Sequence, residues 1–161
     1  MTLIYVMCHT DPRKHWLQDW FRQEAEKLNL QNITYKYVDI MKKEVVKKYQ
    51  QQLSHDIEAD IFKGNSDNHP LADIVYVPDC GGDWYHDQDP TFRPEKMIEH
   101  VSKLFEWVKE GGYLYVAKLM HDNIKIFFTD VLGFEQVINT WGEDGTEYDF
   151  YRKRKLVEFK F

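Results

Sequence analysis

The stretch "FEQVINTWGEDGTEYDFYRKRKLVEFKF", residues 134–161, decides the fold. "FEQVINTW" has the β-branched and aromatic content of a strand. "GEDGT" carries an Asp-Gly pair, the signal of a tight turn between paired strands. "EYDFYRKRKLVEFKF" returns beside the first strand as the other arm of a hairpin. Two strands joined directly are informative only if everything before them is built differently.

It is. Residues 3–8, "LIYVMC", form an apolar run suited to a central strand covered on both faces. "HTDPRK" opens a helix, with Asp11 as N-cap, Pro12 at the first helical position, and Trp16, Leu17, Trp20, Phe21 and Leu28 as its apolar stripe. "NITYKYVDI", 32–40, reads as a second strand ending at Asp39. Val45, Val46, Tyr49 and Leu53 recur at helical spacing. Ile57, Ala59 and Ile61 alternate with polar residues, which predicts a short edge strand. "GNSDNHP" is a loop, and "ADIVYVP" is the next central strand.

Pro94 then starts a helix whose inward face carries Met97, Ile98, Val101, Leu104, Phe105 and Val108. Gly111-Gly112 are expected to end it before the strand "YLYVAKL". A further helix runs from Asp122 to Gly133 with Ile124, Phe127, Phe128 and Val131 inward. Strand and helix thus alternate until the final hairpin. The expected fold is α/β: a three-layer, doubly wound, mostly parallel sheet of about seven strands with a C-terminal antiparallel hairpin, in one domain over 1–161.

Composition narrows the function classes. The chain has 161 residues, 43% of them hydrophobic and 16% aromatic, enough for a real core. Its formal charge of −6 argues against a nucleic-acid groove, which needs concentrated Lys and Arg. The run Arg152-Lys153-Arg154-Lys155 reads as a solvated strand edge that resists aggregation, with a phosphate contact as its other reading. No apolar stretch has the ~18 residues of a membrane helix. "MTLIYVMCHTD" lacks the basic region and cleavage site of a signal peptide. With 2 cysteines there is no disulfide framework, and the expected location is cytoplasmic.

Five parallel strands followed by a helix, a strand and an antiparallel return resemble the class I methyltransferase fold, which uses S-adenosylmethionine. "LFEWVKEGGYLYVAKL" is similar to that family's helix, Gly-Gly turn and fifth strand. "ADIVYVPD" resembles its fourth strand, which ends in an acid near the transferred methyl group, here Asp79. "YKYVDI" resembles its second strand, whose terminal acid holds the ribose hydroxyls, here Asp39. "IEADIF" resembles the third, whose acid touches the adenine amine, here Asp60. The resemblance implies S-adenosylmethionine as cofactor and a small-molecule or other methyl acceptor as partner.

One stretch departs from that pattern. The family's first strand runs into a Gly-rich turn, whereas here "MCHTDPRKH" has no glycine, and Pro12 lacks an N–H. The alternatives are therefore an inactive methyltransferase-like binding module, or another nucleotide-binding α/β enzyme. A module predicts an exposed aromatic surface, including Trp141 or the terminal hairpin, that contacts a protein partner or makes a homodimer.

In open α/β sheets, ligands sit beyond the carboxyl ends of the strands where strand order reverses. With the first and fourth strands adjacent, one loop brings Cys8, His9, Thr10 and Asp11. The other brings Asp79, Cys80, Gly81, Gly82, Asp83, Trp84 and Tyr85. Asp79, Asp83 and Tyr85 are the candidates for orienting the acceptor and taking its proton. Cys8, His9, Thr10 and Cys80 join Asp39 and Asp60 as candidates for the cofactor. Cys8, His9, Cys80 and His86 have zinc-ligating chemistry but no close Cys-x-x-Cys spacing, so no metal site is assigned. His15, His55, His69, His100 and His121 read as ordinary surface or helix residues. The G-x-S-x-G and phosphate-loop motifs of hydrolases and NTPases are absent.

Overall fold

The computed structural model describes residues 1–7, 15–39, 55–78, 93–118, 122–141, 145 and 147–155. The elements are β1 (Thr2–Met7), α1 (His15–Lys27), β2 (Ile33–Asp39), β3 (Ile57–Glu58), a 3-10 turn (Ile61–Lys63) and β4 (Ala72–Val77). There follow α2 (Pro94–Phe105), β5 (Val108–Lys118), α3 (Asp122–Ile126), which runs into a π-helical turn (Phe127–Val131), then β6 (Glu135–Trp141) and β7 (Glu147–Arg154). Asp11, Pro12, Val45, Val46, Tyr49 and Leu53, expected in helices, lie outside the described residues.

The strands form one sheet in the order β3-β2-β1-β4-β5-β7-β6. β1 to β5 pair in parallel, and β7 is antiparallel to both β5 and β6. The chain is thus α/β with the expected mostly parallel sheet and C-terminal antiparallel hairpin. The hairpin's returning strand is inserted between β5 and the strand that precedes it.

Burial explains the order. β1 and β4 are almost wholly buried, as continuous apolar strands with cover on both faces must be. Alternate residues feed two cores. Tyr5, Met7, Val75, Val77, Leu114 and Val116 pack with Met97, Val101, Leu104 and Phe105 of α2 and with Phe127 and Phe128. Ile4, Val6, Ile74, Tyr76, Tyr115 and Phe150 pack with Phe21 and Ala25 of α1. The Phe21 ring stacks on Tyr76 with centroids 4.0 Å apart and planes at 6°.

Several expectations are corrected. β3 is only Ile57–Glu58, at the sheet edge as expected, because Asp60 caps the 3-10 turn and draws Ile61 out of the strand. α2 starts at Pro94 but ends at Phe105, so Val108 is buried as a strand residue, not a helical one. Gly111-Gly112 do not end the helix. They sit inside β5, where the register with β4 jumps from Ala72–Val108 to Ile74–Tyr113. Gly111 has φ 77°, and a Cβ on Gly112 would lie 2.6 Å from the Asp73 carbonyl oxygen. A bulge and a helix end both ask for glycine, so the pair was ambiguous.

Val131, expected inward, is 55% exposed, and Leu132 is buried instead. The Leu132 N–H donates to the Phe127 carbonyl five residues back, the mark of a π turn. The extra residue rotates the following side chains out of helical phase. The Thr129 hydroxyl also bonds the Lys125 carbonyl at 3.0 Å. His55 is buried rather than on the surface. His69 lies against Trp107, and His100 stacks on Phe62.

Residues 152–155 are not a solvated edge either, since β7 lies inside the sheet. Arg152 donates to Glu24, Glu135 and Tyr115, tying α1 and β6 to the sheet. Lys153 donates to the Leu132 carbonyl, and Arg154 to that of Gly111 at 3.1 Å. Lys155 donates to the Val108 carbonyl at 2.7 Å. Each cation has a structural partner, which disfavours the phosphate reading.

Candidate functional site

Strand order reverses between β1 and β4. From β1 the chain moves outward to β2 and β3, then crosses back to β4. A crevice beyond the carboxyl ends of these parallel strands is where such sheets hold ligands. In sequence, residues 8 and 79 follow closely on Met7 and Val77, where β1 and β4 end. Cys8, His9, Thr10, Asp79, Cys80, Asp83 and Tyr85, like His86, lie outside the described residues.

Asp39 is described, and it ends β2 on the strand next to β1. Met7 at the end of β1 pairs with Val38, so Asp39 is the next residue on β2 at the carboxyl edge. Its residue exposure is only 6%. The backbone on either side is held: Asp39 pairs with Glu58, and its carbonyl accepts the Ala59 N–H at 2.9 Å. A carboxylate fixed by a strand and mostly out of water can accept hydrogen bonds from two neighbouring hydroxyls.

Asp60 has a structural task. Its Oδ1 accepts the Phe62 N–H at 3.1 Å and caps the 3-10 turn. The cap uses one carboxylate oxygen and sets the carboxyl group at the outer side of the sheet, beyond β2. Sequence reasoning foresaw the acid and missed the cap, although an Asp two residues ahead of a turn amide is a familiar arrangement.

The buried tyrosines of β4 and β5 are poor bases. Burial pushes the Tyr76 phenol well above its usual range, so it stays protonated. Burial also raises Tyr115, with Arg152 partly offsetting it. Among the described residues no three His, Cys, Asp or Glu come together to hold a metal. No described helix is long and apolar enough to cross a membrane.

An open groove of about 600 Å³ lies at the other edge of the sheet. Asn65, Asn68, His69, Leu71, Glu106 and Lys155 line it, all adjoining the amino ends of β4 and β5. Sequence reading treated its wall, "GNSDNHP", only as a loop. The strand topology assigns ligand chemistry to the carboxyl edge, so this groove is separate from Asp39.

No family model and no curated protein matches the sequence. Solved structures do match the fold. One is described as a ribosomal RNA methyltransferase from Plasmodium falciparum, with a TM-score of 0.52 and 11% identity over 95% of this chain and 86% of that one. An O-methyltransferase family 2 protein from Planctomyces limnophilus, in complex with apigenin, gives 0.51 at 11% identity; the match covers 94% of this chain but 50% of that one. A domain described as a precorrin-6Y C5,15-methyltransferase, from Corynebacterium diphtheriae, gives 0.50 at 10% identity over 96% of this chain and 88% of that one. Identities this low speak for the shared fold alone.

Proposed function

We propose that this methyltransferase-like domain takes S-adenosylmethionine in the crevice beyond β1, β2 and β4 and passes its methyl group to a small-molecule acceptor. The observation that carries the reading is Asp39, a mostly buried carboxylate at the carboxyl end of β2 beside the switch point. That chemistry fits a ribose diol, which offers two O–H donors. When bound, the cofactor supplies a methyl group already activated on a sulfonium.

The chain's own part is to bind, orient and exclude water. In this reading Asp39 holds the ribose, Asp60 serves the adenine amine with the oxygen its cap leaves over, and Cys8, His9, Thr10 and Cys80 flank the rest. Asp79, Asp83 and Tyr85 orient the acceptor, and a carboxylate among them takes the proton released when an acceptor O–H or N–H is methylated.

The glycine-free stretch Cys8–Pro12 favours a second reading: the fold is retained as a binding module without the reaction. Calorimetric titration with S-adenosylmethionine and its demethylated product separates the two. The catalytic reading expects micromolar binding, weakened about 10- to 100-fold in Asp39→Asn by loss of charge-assisted hydrogen bonds worth about 1.5–3 kcal/mol. Folded wild-type protein that takes up neither compound at millimolar concentration removes the catalytic reading and leaves the module.

A further inference from the structure

We propose that Glu58 is a specificity residue of the crevice: beside Asp39, it lets in a nucleoside whose ribose carries a free diol and turns away one whose ribose is phosphorylated. The inference deepens the proposed function and rests on Asp39 as the acid that holds the ribose. Glu58 makes no bond to the ligand in this reading. Its charge does the excluding.

The two carboxylates are neighbours by register. β2 and β3 pair in parallel, with Val38 opposite Ile57 and Asp39 opposite Glu58. Residues paired across strands share a face of the sheet, and successive residues of one strand alternate between faces. The packing agrees with this. Val38 is buried in the core beneath α2, and Ile57 packs against that same core. Tyr37, one residue before Val38, packs instead against the core beneath α1. Asp39 and Glu58, each the next residue on its strand, therefore turn together to the α1 face. Their backbones are one strand spacing apart, about 4.8 Å. Both acids end their strands, the inner one buried and the outer one exposed.

A ribose hydroxyl donates its hydrogen to a carboxylate, so a free diol suits this place. A phosphate monoester carries about −1.5 to −2 charge at pH 7 and presents acceptor oxygens. It offers Asp39 repulsion where the diol offers hydrogen bonds, and Glu58 adds a second like charge one strand away. Arg22 is a cation on the same face, but it donates to the Tyr37 hydroxyl at 3.3 Å and lies over the Tyr35 ring at 5.2 Å. Both tyrosines stand further back along β2, so this charge is held away from the strand ends. Strand pairing itself gains nothing from the second acid, because like charges directly opposite are unfavourable. Discrimination of this kind needs only a repulsive element aimed at the wrong ligand.

The test is calorimetric titration of the full chain with S-adenosylhomocysteine and with its ribose 2′- and 3′-phosphates, at low ionic strength. Wild-type protein is expected to bind the phosphates at least about tenfold more weakly than the parent compound. Glu58→Gln is expected to narrow that gap about threefold or more by binding the phosphates better, with its affinity for the parent compound within about twofold of wild type. Added salt is expected to narrow the gap in wild type more than in Glu58→Gln, since it screens the charge that the variant lacks. Glu99→Gln, on the exposed face of α2, removes one negative charge elsewhere and is expected to leave the gap as it is. Phosphates that bind wild type as well as the parent compound does overturn this inference alone, and leave Asp39 its role. So does a gap that Glu58→Gln does not narrow, because the rejection is then steric, or one that Glu99→Gln narrows equally. Failure of wild type to take up the parent compound is a different result: it removes the ribose reading of Asp39, and this inference with it.

Discussion

Removing the Asp73 carboxylate tests how the amino edge of the sheet is held. Its Oδ2 accepts the Leu3 N–H of β1 at 2.8 Å, and its Oδ1 takes the Lys109 ammonium at the bulge of β5. One side chain on β4 thereby ties three strands. Asp73→Ala leaves the part-buried Leu3 amide without its acceptor, at about 1–3 kcal/mol. The lost ion pair adds under about 1 kcal/mol, because Lys109 is 48% exposed. A total near 2–3 kcal/mol corresponds to a melting temperature lower by about 4–12 °C in a domain of this size. Asp73→Asn keeps an oxygen for Leu3 and is expected to recover about half of the loss.

The pH dependence has a definite sign. Burial acts to raise the Asp73 carboxyl, but Lys109 and the Leu3 N–H outweigh it and hold the group below its usual range. On acidification the unfolded chain therefore takes up the proton first, near its ordinary value of about 3.9. The stabilisation is complete above that value and drains away as pH falls through the folded one. Urea unfolding of wild type and Asp73→Ala, from neutral pH down to about pH 3, is expected to show a gap that narrows below about pH 4. A neutral-pH difference under ~0.5 kcal/mol, the level of an ordinary surface substitution, or a gap independent of pH, refutes the reasoning.

Other substitutions probe the remaining ties. Arg152→Ala removes hydrogen bonds to Glu24, Glu135 and Tyr115 and is expected to cost about 1–3 kcal/mol in urea unfolding; Arg152→Lys recovers little, because an ammonium cannot span three partners. Leu132→Ala is expected to cost about 2–5 kcal/mol and Val131→Ala under about 0.5 kcal/mol, the reverse of what an unbroken helix implies; equal losses on thermal melting contradict the π turn. Gly112→Ala drives a Cβ into the Asp73 and Lys109 carbonyl oxygens, and a loss of about 1–3 kcal/mol on chemical denaturation is expected.

The sequence by itself determined whatever rests on local patterning. "LIYVM" and "ADIVYV" are too apolar to be half-exposed, so they had to be central strands, and β1 and β4 are. Pro94 and the stripe from Met97 to Phe105 specified α2, because an amphipathic face and a helix start are both written in neighbouring residues. Asp39 could be placed because it ends an unmistakable strand.

Tertiary structure alone decided the features in which a residue answers to something distant in sequence. Gly111-Gly112 became a bulge because Asp73, on another strand, occupies the space opposite. Leu132 displaced Val131 from the core when a π turn changed the phase. The four consecutive cations of 152–155 became fasteners because β7 entered the sheet between β5 and β6, where carbonyls and carboxylates of other elements meet them. Local sequence sets periodicity, but pairing across the sheet is a long-range choice, and it is made by which buried surfaces and unpaired polar groups the assembled chain must satisfy.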